Sequence, residues 1–203
     1  MEGLTYFLHL FHSGGLVMYP LLALSIFTVA IAIERFCYYK ANRKNSKQFF
    51  TGIDHAVKNQ QWDAVDAFCK KNSTAVSRII AHGVSHRSNE KEMKDAFNEQ
   101  MTVESVAFRR YLDYLSAIVT VAPLLGLLGT VTGMISTFSV LDNGAGASAI
   151  TGGVGEALVA TASGLCVAII AFCVYTYFDH YLDTIVTDTE KLCVAVVNAS
   201  NAK

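Results

Sequence analysis

The chain has 203 residues, of which 52% are hydrophobic and 16% charged, with a formal net charge of −1. Soluble domains usually carry about 25% charged residues, so this balance argues against an ordinary soluble domain and for a membrane protein. A nucleic-acid binder would show a basic patch or stripe, which near-neutral charge does not suggest.

In chain order, Leu4, Phe7, Leu8 and Phe11 recur at helical spacing. They predict a short amphipathic helix over 1–13 lying along the outer membrane interface. His9 and His12 flank its stripe as interfacial polar residues. A run without Asp, Glu, Lys or Arg then extends from Gly14 to Ile33. It is long enough for a membrane core of about 30 Å and predicts a first span over 14–36. The opening "MEGLTYF" has no Lys or Arg, and the run exceeds the roughly 7–15 apolar residues of a signal peptide. The run is therefore expected to stay in the mature protein.

The segment 37–112 reads as a helical domain. "FFTGIDHAVKNQQWDAVDAFCKK" and "STAVSRIIAHGVSH" place apolar residues at helical spacing. Asn89 with Glu92 three residues on resembles a capping box. It opens a helix that, on sequence, continues without a stop from about Glu90 to Leu141, roughly 75 Å at 1.5 Å per residue. Charge-free runs from Tyr114 to Leu141 and from Ala157 to Phe178 predict a second span over 113–141 and a third over 153–178. A loop over 142–152 joins them and a tail over 179–203 follows.

Basic residues set the expected orientation. Of the 16 Lys and Arg, fourteen lie between Arg35 and Arg110 and the other two are Lys191 and Lys203. The positive-inside rule puts the middle segment and the tail in the cytoplasm, with the N-terminus and the loop outside. The fold class expected is all-α: three transmembrane helices, N-terminus outside, a helical cytoplasmic domain, and long second and third helices extending into the cytoplasm.

Catalysis finds little support. The five cysteines form no CxxC pair, and no GxSxG, HExxH or Walker sequence occurs; neither a metal nor a cofactor is expected. His82 and His86, four apart, read as an exposed pair. What stands out is Glu156 at the mouth of the third apolar run. A carboxylate costs about 2.5–3.5 kcal/mol deep in a membrane, so a role is expected for it. "APLLGLLGTVTGMISTF" carries Gly126, Gly129 and Gly133, and "GGVGEALVATASGLCVA" carries Gly155 and Gly164, small residues that let membrane helices approach closely. Thr130 and Thr161 are equally far from the centre of the loop, which puts both hydroxyls near mid-bilayer in an antiparallel hairpin. Glu156 and Thr161 are five residues apart, about 140° around a helix, so spacing does not put them on one face.

These motifs, with "GGLVMYPLLALSIFTVAIAIERF" in the first run, resemble the ExbB/TolQ/MotA proton-channel family, and most closely its ExbB-like biopolymer transport proteins. The resemblance covers nearly the whole chain. It implies proton-pathway or pore-lining roles for Thr130, Glu156 and Thr161, helix packing at Gly126, Gly129, Gly133, Gly155 and Gly164, and a boundary pair of Glu34 and Arg35, expected to be exposed at the membrane interface. It further implies a homopentameric ring in the bacterial inner membrane around a dimer of a single-span ExbD-like partner with a membrane aspartate. The ring would use the proton gradient, with no cofactor, to energise a TonB-type protein for outer-membrane import. Neither an enzyme nor a nucleic-acid binder is implied. The alternatives are a TolQ-like envelope-integrity motor subunit and a passive membrane scaffold. The second-run motif departs from the family's frequent GTVWG in carrying Thr132 at the tryptophan position, and MotA-like proteins usually have a further span.

Overall fold

The computed structural model describes residues 11, 14–43, 46–72, 74–142 and 147–201. Of the helix expected over 1–13 only Phe11 falls among them; Leu4, Phe7, Leu8, His9 and His12 lie outside, as does the centre of the loop at 143–146. In chain order the helices are α1 (Met18–Arg43), α2 (Ser46–Lys58), α3 (Trp62–Lys71), α4 (Ala75–Ser85), α5 (Glu90–Arg109), α6 (Leu112–Asp142) and α7 (Ala147–Asn201). No strand occurs among the described residues. Stretches of α1, α6 and α7, Met18–Asn42, Leu112–Ser139 and Thr151–Asn201, are long and apolar enough to cross a membrane. The protein is all-helical with three candidate membrane spans.

Two compact units divide the chain. The first holds the described residues up to Ile33 together with Tyr111–Thr176. Gly15 starts it with φ +69, a conformation glycine adopts without steric cost. The Met18 N–H then donates to the Gly15 carbonyl at 3.2 Å. Pro20 sits in the first turn of α1, where its missing N–H has no partner to lose. Pro123 sits inside α6 and removes the usual donor to the Val119 carbonyl. Leu21, Leu115, Ala122, Ala160 and Ala171 are buried, while Leu16, Ile26, Leu124, Ile135, Leu158 and Ile169 are more than half exposed. An outward apolar surface of this extent needs lipid or other helices against it.

The second unit combines Glu34–Arg110 with the chain from Tyr177. Its core draws Ile53 and Val57 from α2, Val65 from α3, Ile80 and Val84 from α4, Met93 and Phe97 from α5, and Val196 from the far end of α7. The Phe97 ring occupies the space a Cβ at Gly83 would need, so α4 and α5 meet through a glycine. The termini are capped locally. Thr74 Oγ1 accepts from the Ser77 N–H at 3.3 Å to open α4, and Asn89 Oδ1 accepts from the Lys91 N–H at 3.0 Å to open α5. Glu92 accepts from the Asn89 side-chain amide at 3.0 Å, where a full capping box would use the Asn89 backbone N–H.

One sequence expectation is corrected. The helix from Glu90 to Leu141 is not continuous: α5 ends at Arg109, Arg110 has ψ 87, Tyr111 has φ +117, and α6 begins at Leu112. Hydrogen bonds from the distant Arg35 and Tyr39 to the last carbonyls of α5 offset the helical bonds given up at the break. The last helix, in contrast, runs through Phe178 to Asn201 in one piece.

Candidate functional site

Within the first unit, α6 and α7 approach along faces of small residues. Ala157, Ala160, Thr161 and Gly164 follow the i, i+3, i+4, i+7 pattern of one helix face, and Gly126, Gly129 and Gly133 stand opposite. A Cβ at Gly129 would lie 2.5 Å from Ala160 Cβ, and one at Gly133 would lie 2.8 Å from Ala157 Cβ. A Cβ at Gly126 would lie 3.0 Å from Thr161 Cα, and one at Gly164 would lie 2.6 Å from the Ala122 carbonyl. A Cβ at Gly129, Gly133 or Gly164 would force the opposing backbone or alanine Cβ to shift, and at Gly126 the facing α7 backbone would have to give by a few tenths of an ångström. Gly155 is placed differently: it is exposed, with nothing within 4 Å of where its Cβ would be.

Both threonines bond to backbone. Thr161 Oγ1 donates across the pair to the Gly126 carbonyl at 2.9 Å. Thr130, one turn further along α6 and half-buried, donates to the Leu127 carbonyl of its own helix at 2.6 Å. Each hydroxyl thus has its donor occupied and keeps oxygen lone pairs that can accept a hydrogen bond. A protonated carboxylic acid is a chemical group that such an oxygen can receive. Glu156 is exposed; it precedes Ala157 by one residue and is therefore turned about 100° from the contact face. The structure brings Thr161 and the glycines of α6 together and leaves Glu156 on the flank of α7, open to whatever adjoins it. Thr132 is also exposed and donates to the Leu128 carbonyl at 3.0 Å.

The pair Glu34–Arg35 differs from the exposed pair expected. Arg35 is only 2% exposed. Its Nε and Nη2 donate to Glu34 at 2.5 and 2.8 Å, and its Nη1 donates to the carbonyls of Ala107 and Phe108 at 3.1 and 3.2 Å. The guanidinium also lies 4.6 Å from the centre of the Tyr38 ring. Tyr39, buried and stacked on Phe178 at 5.1 Å, donates its hydroxyl to the same Phe108 carbonyl at 3.3 Å. Arg35 is an internal clamp of the second unit because the end of a helix offers it two acceptors that a separate surface pair would lack.

Sequence reasoning missed a second pairing in this unit. Glu104 of α5 is buried, and Arg78 of α4 donates to it from Nε and Nη2, both at 2.6 Å. The hydrogen bond from Arg78 to Glu104 pushes the guanidinium pKa above its usual value. The signal available was a lone acid, Glu104, within the otherwise uncharged stretch from Gln100 to Phe108. The His82 and His86 rings meet edge to face with centres 5.3 Å apart, and His82 Nε2 is 3.9 Å from Glu99. Among the described residues no group of three His, Cys, Asp or Glu is placed to hold a metal, and the five cysteines are free thiols.

A model of the MotA/TolQ/ExbB proton channel family matches residues 71–191, which include the whole contact between α6 and α7. The chain belongs to this family. An ExbB homolog named for biopolymer transport, from Methanothermobacter thermautotrophicus, is 33% identical over 181 residues, 87% of this chain and 64% of its own length. An ExbB-like biopolymer transport protein of Synechocystis is 34% identical over 171 residues, covering 81% of this chain and 67% of the relative. A biopolymer transport protein of Vibrio cholerae, exbB1, is 28% identical over 168 residues, or 76% and 71% of the two chains. The chain therefore spans about two thirds of the length of the first of these relatives. With three apolar helices and this family membership, the protein is a membrane protein of a proton-channel family, which is not an enzyme family.

Proposed function

We propose that this protein is the ring-forming, ExbB-like subunit of a motor driven by the proton gradient in a bacterial inner membrane. Five copies would surround a dimer of a single-span, ExbD-like partner whose membrane aspartate takes up and releases protons. The work would reach a TonB-type protein that drives outer-membrane import. The distribution of Lys and Arg favours an outer N-terminus and a cytoplasmic second unit.

One observation carries this reading. In the α6–α7 pair a hydroxyl, Thr161, lies at a glycine contact within an apolar stretch, with Thr130 one turn away and Glu156 exposed toward the N-terminal end of α7. In hydrocarbon, polar groups have to find partners inside the protein assembly. A carboxylate on an exposed flank of a membrane helix therefore favours a neighbouring subunit or a water-filled centre over lipid. Glu156 would attract cations at the outer mouth. The oxygens of Thr130 and Thr161 would receive the aspartic acid of the partner when it is protonated and release it when it ionises.

The test is proton flux through liposomes containing the chain with its ExbD-like partner, alongside the native mass of the complex. Glu156→Ala is expected to abolish flux and leave the ring mass unchanged, and Glu156→Gln to be milder. Full flux in Glu156→Ala would refute the role, and loss of the ring would make Glu156 a packing residue.

A further inference from the structure

From Glu90 to Ala122 the chain contains no glycine or proline, so nothing local ends a helix between α5 and α6. The end is imposed through space. In an uninterrupted helix the Ala107 and Phe108 carbonyls would accept from the N–H groups of Tyr111 and Leu112, four residues on. In the structure they accept from Arg35 Nη1 at 3.1 and 3.2 Å, and Phe108 accepts also from the Tyr39 hydroxyl at 3.3 Å. These donors do for α5 what a terminal cap does, by satisfying its last carbonyls. The guanidinium also stands at the negative end of the helix dipole, where a cation is favoured.

Two further observations fit a cap working against local preference. Tyr111 is held at φ +117, a region that a bulky residue occupies only when its surroundings impose it. Arg35 is in turn held by Glu34, whose side chain is 47% exposed while that of Arg35 is 3% exposed. Glu34 is thus the point at which the surroundings reach the buried guanidinium.

We infer that Arg35 and Tyr39 form a releasable cap: engaged on the Ala107 and Phe108 carbonyls they hold α5 ended at Arg109, and withdrawn they let residues 109–112 close into helix. The segment "VAFRRYLDYL" contains no helix breaker, and Ala107, Arg109, Arg110, Leu112 and Leu115 are strong helix formers, so the engaged cap opposes a conformation open to the chain. That opposition is what a two-state element requires.

The test reads the backbone of Tyr111 directly. The full-length protein, carrying 13C-labelled tyrosine, is reconstituted in lipid bilayers and observed by magic-angle-spinning NMR. The Tyr111 Cα signal is assigned by its loss in Tyr111→Phe. In the unsubstituted chain this signal is expected away from the helical position. Arg35→Met should move it to the helical position while the other tyrosines stay in place, and Tyr39→Phe should move part of its intensity. A Tyr111 signal unmoved in both variants overturns the inference, as does a helical signal in the unsubstituted chain. If Arg35→Met shifts every tyrosine through misfolding, Tyr39→Phe, which removes a single oxygen, decides: a partial shift supports the cap and no shift overturns it. No transport is measured, so failure here leaves the proposed motor function standing.

Discussion

Replacing Thr161 by valine keeps the side-chain volume and removes one hydroxyl. In the structure that hydroxyl donates to the Gly126 carbonyl at 2.9 Å, across a contact so close that a Cβ on Gly126 would lie 3.0 Å from Thr161 Cα. Side-chain hydrogen bonds between membrane helices average about 0.6 kcal/mol and reach about 1.7. Since about 1.4 kcal/mol is a factor of ten, the helix pair should weaken by roughly threefold to twentyfold. The glycine and alanine contacts are untouched, so the assembled complex should survive that loss. Proton flux into liposomes, measured with the proposed ExbD-like partner and normalised to the native mass of the complex, separates the packing of the hydroxyl from its proposed pathway role. The expectation is a fall of more than tenfold in flux at unchanged complex mass for Thr161→Val, and near-normal flux for Thr161→Ser, which restores the donor and the oxygen. Undiminished flux in Thr161→Val would refute a role in the pathway. Equal damage from valine and serine would show that the hydroxyl alone does not carry the effect and that the contact needs the whole threonine side chain.

Other expectations follow from the same geometry. Gly164→Ala drives a Cβ to 2.6 Å from the Ala122 carbonyl, a backbone clash that should cost about 1–3 kcal/mol; Gly155→Ala meets open space and should be neutral or stabilising by up to about 1 kcal/mol. Thermal melting of the purified complex, followed by size exclusion, compares them. Arg78→Met leaves the buried Glu104 with its hydrogen bond from Gln100 at 3.0 Å and without the guanidinium. Arg78 is 47% exposed, so water lowers the cost below the 3–5 kcal/mol of a buried pair, to about 2 in urea unfolding of the second unit, and adding Glu104→Met should recover most of it. Because the Arg78 pKa is raised by its hydrogen bond to Glu104, this contribution should stay flat from neutral pH upward until strongly alkaline conditions. Burial pushes the Cys69 thiol up to about 12, so it should resist alkylation in the folded protein and react on denaturation. The sign follows: a buried neutral thiol stabilises fully below its unfolded pKa, about 8.5, and that stability fades as pH rises from there toward 12. An early-labelled Cys69 at pH 8 would contradict this.

The three apolar helices and the glycines at 126, 129, 133 and 164 were legible in the sequence because each signal is local: a charge-free run, or small residues at helical spacing. Gly155 shows the limit. It belongs to the same glycine-rich stretch as Gly164, but which glycine meets α6 depends on the phase of α7 against its neighbour, and composition carries no phase. The break at Arg110–Tyr111 was illegible for a stronger reason. The donors on the last carbonyls of α5 come from Arg35 and Tyr39, 73 and 69 residues before Phe108, and a sequence window centred on Tyr111 holds no glycine or proline to mark a stop. The same distance hid the burial of Arg35, whose neighbour Glu34 made it resemble a surface pair. The pairing of Arg78 with Glu104, 26 residues apart, depends likewise on how α4 folds onto α5.

The glycine contact has a mechanical consequence. Where Gly129 meets Ala160 and Gly133 meets Ala157 there are no long side chains between α6 and α7 to change rotamer and absorb a displacement. Sliding α7 by one turn in one direction would bring Glu156 to Gly129, and in the other would bring Leu165 to Gly126, where Thr161 now fits against backbone. Close-packed matter of this kind has low compressibility. The two helices therefore resist displacement along their contact as one stiff element, so in the proposed motor the moving parts would be ones that pass this pair.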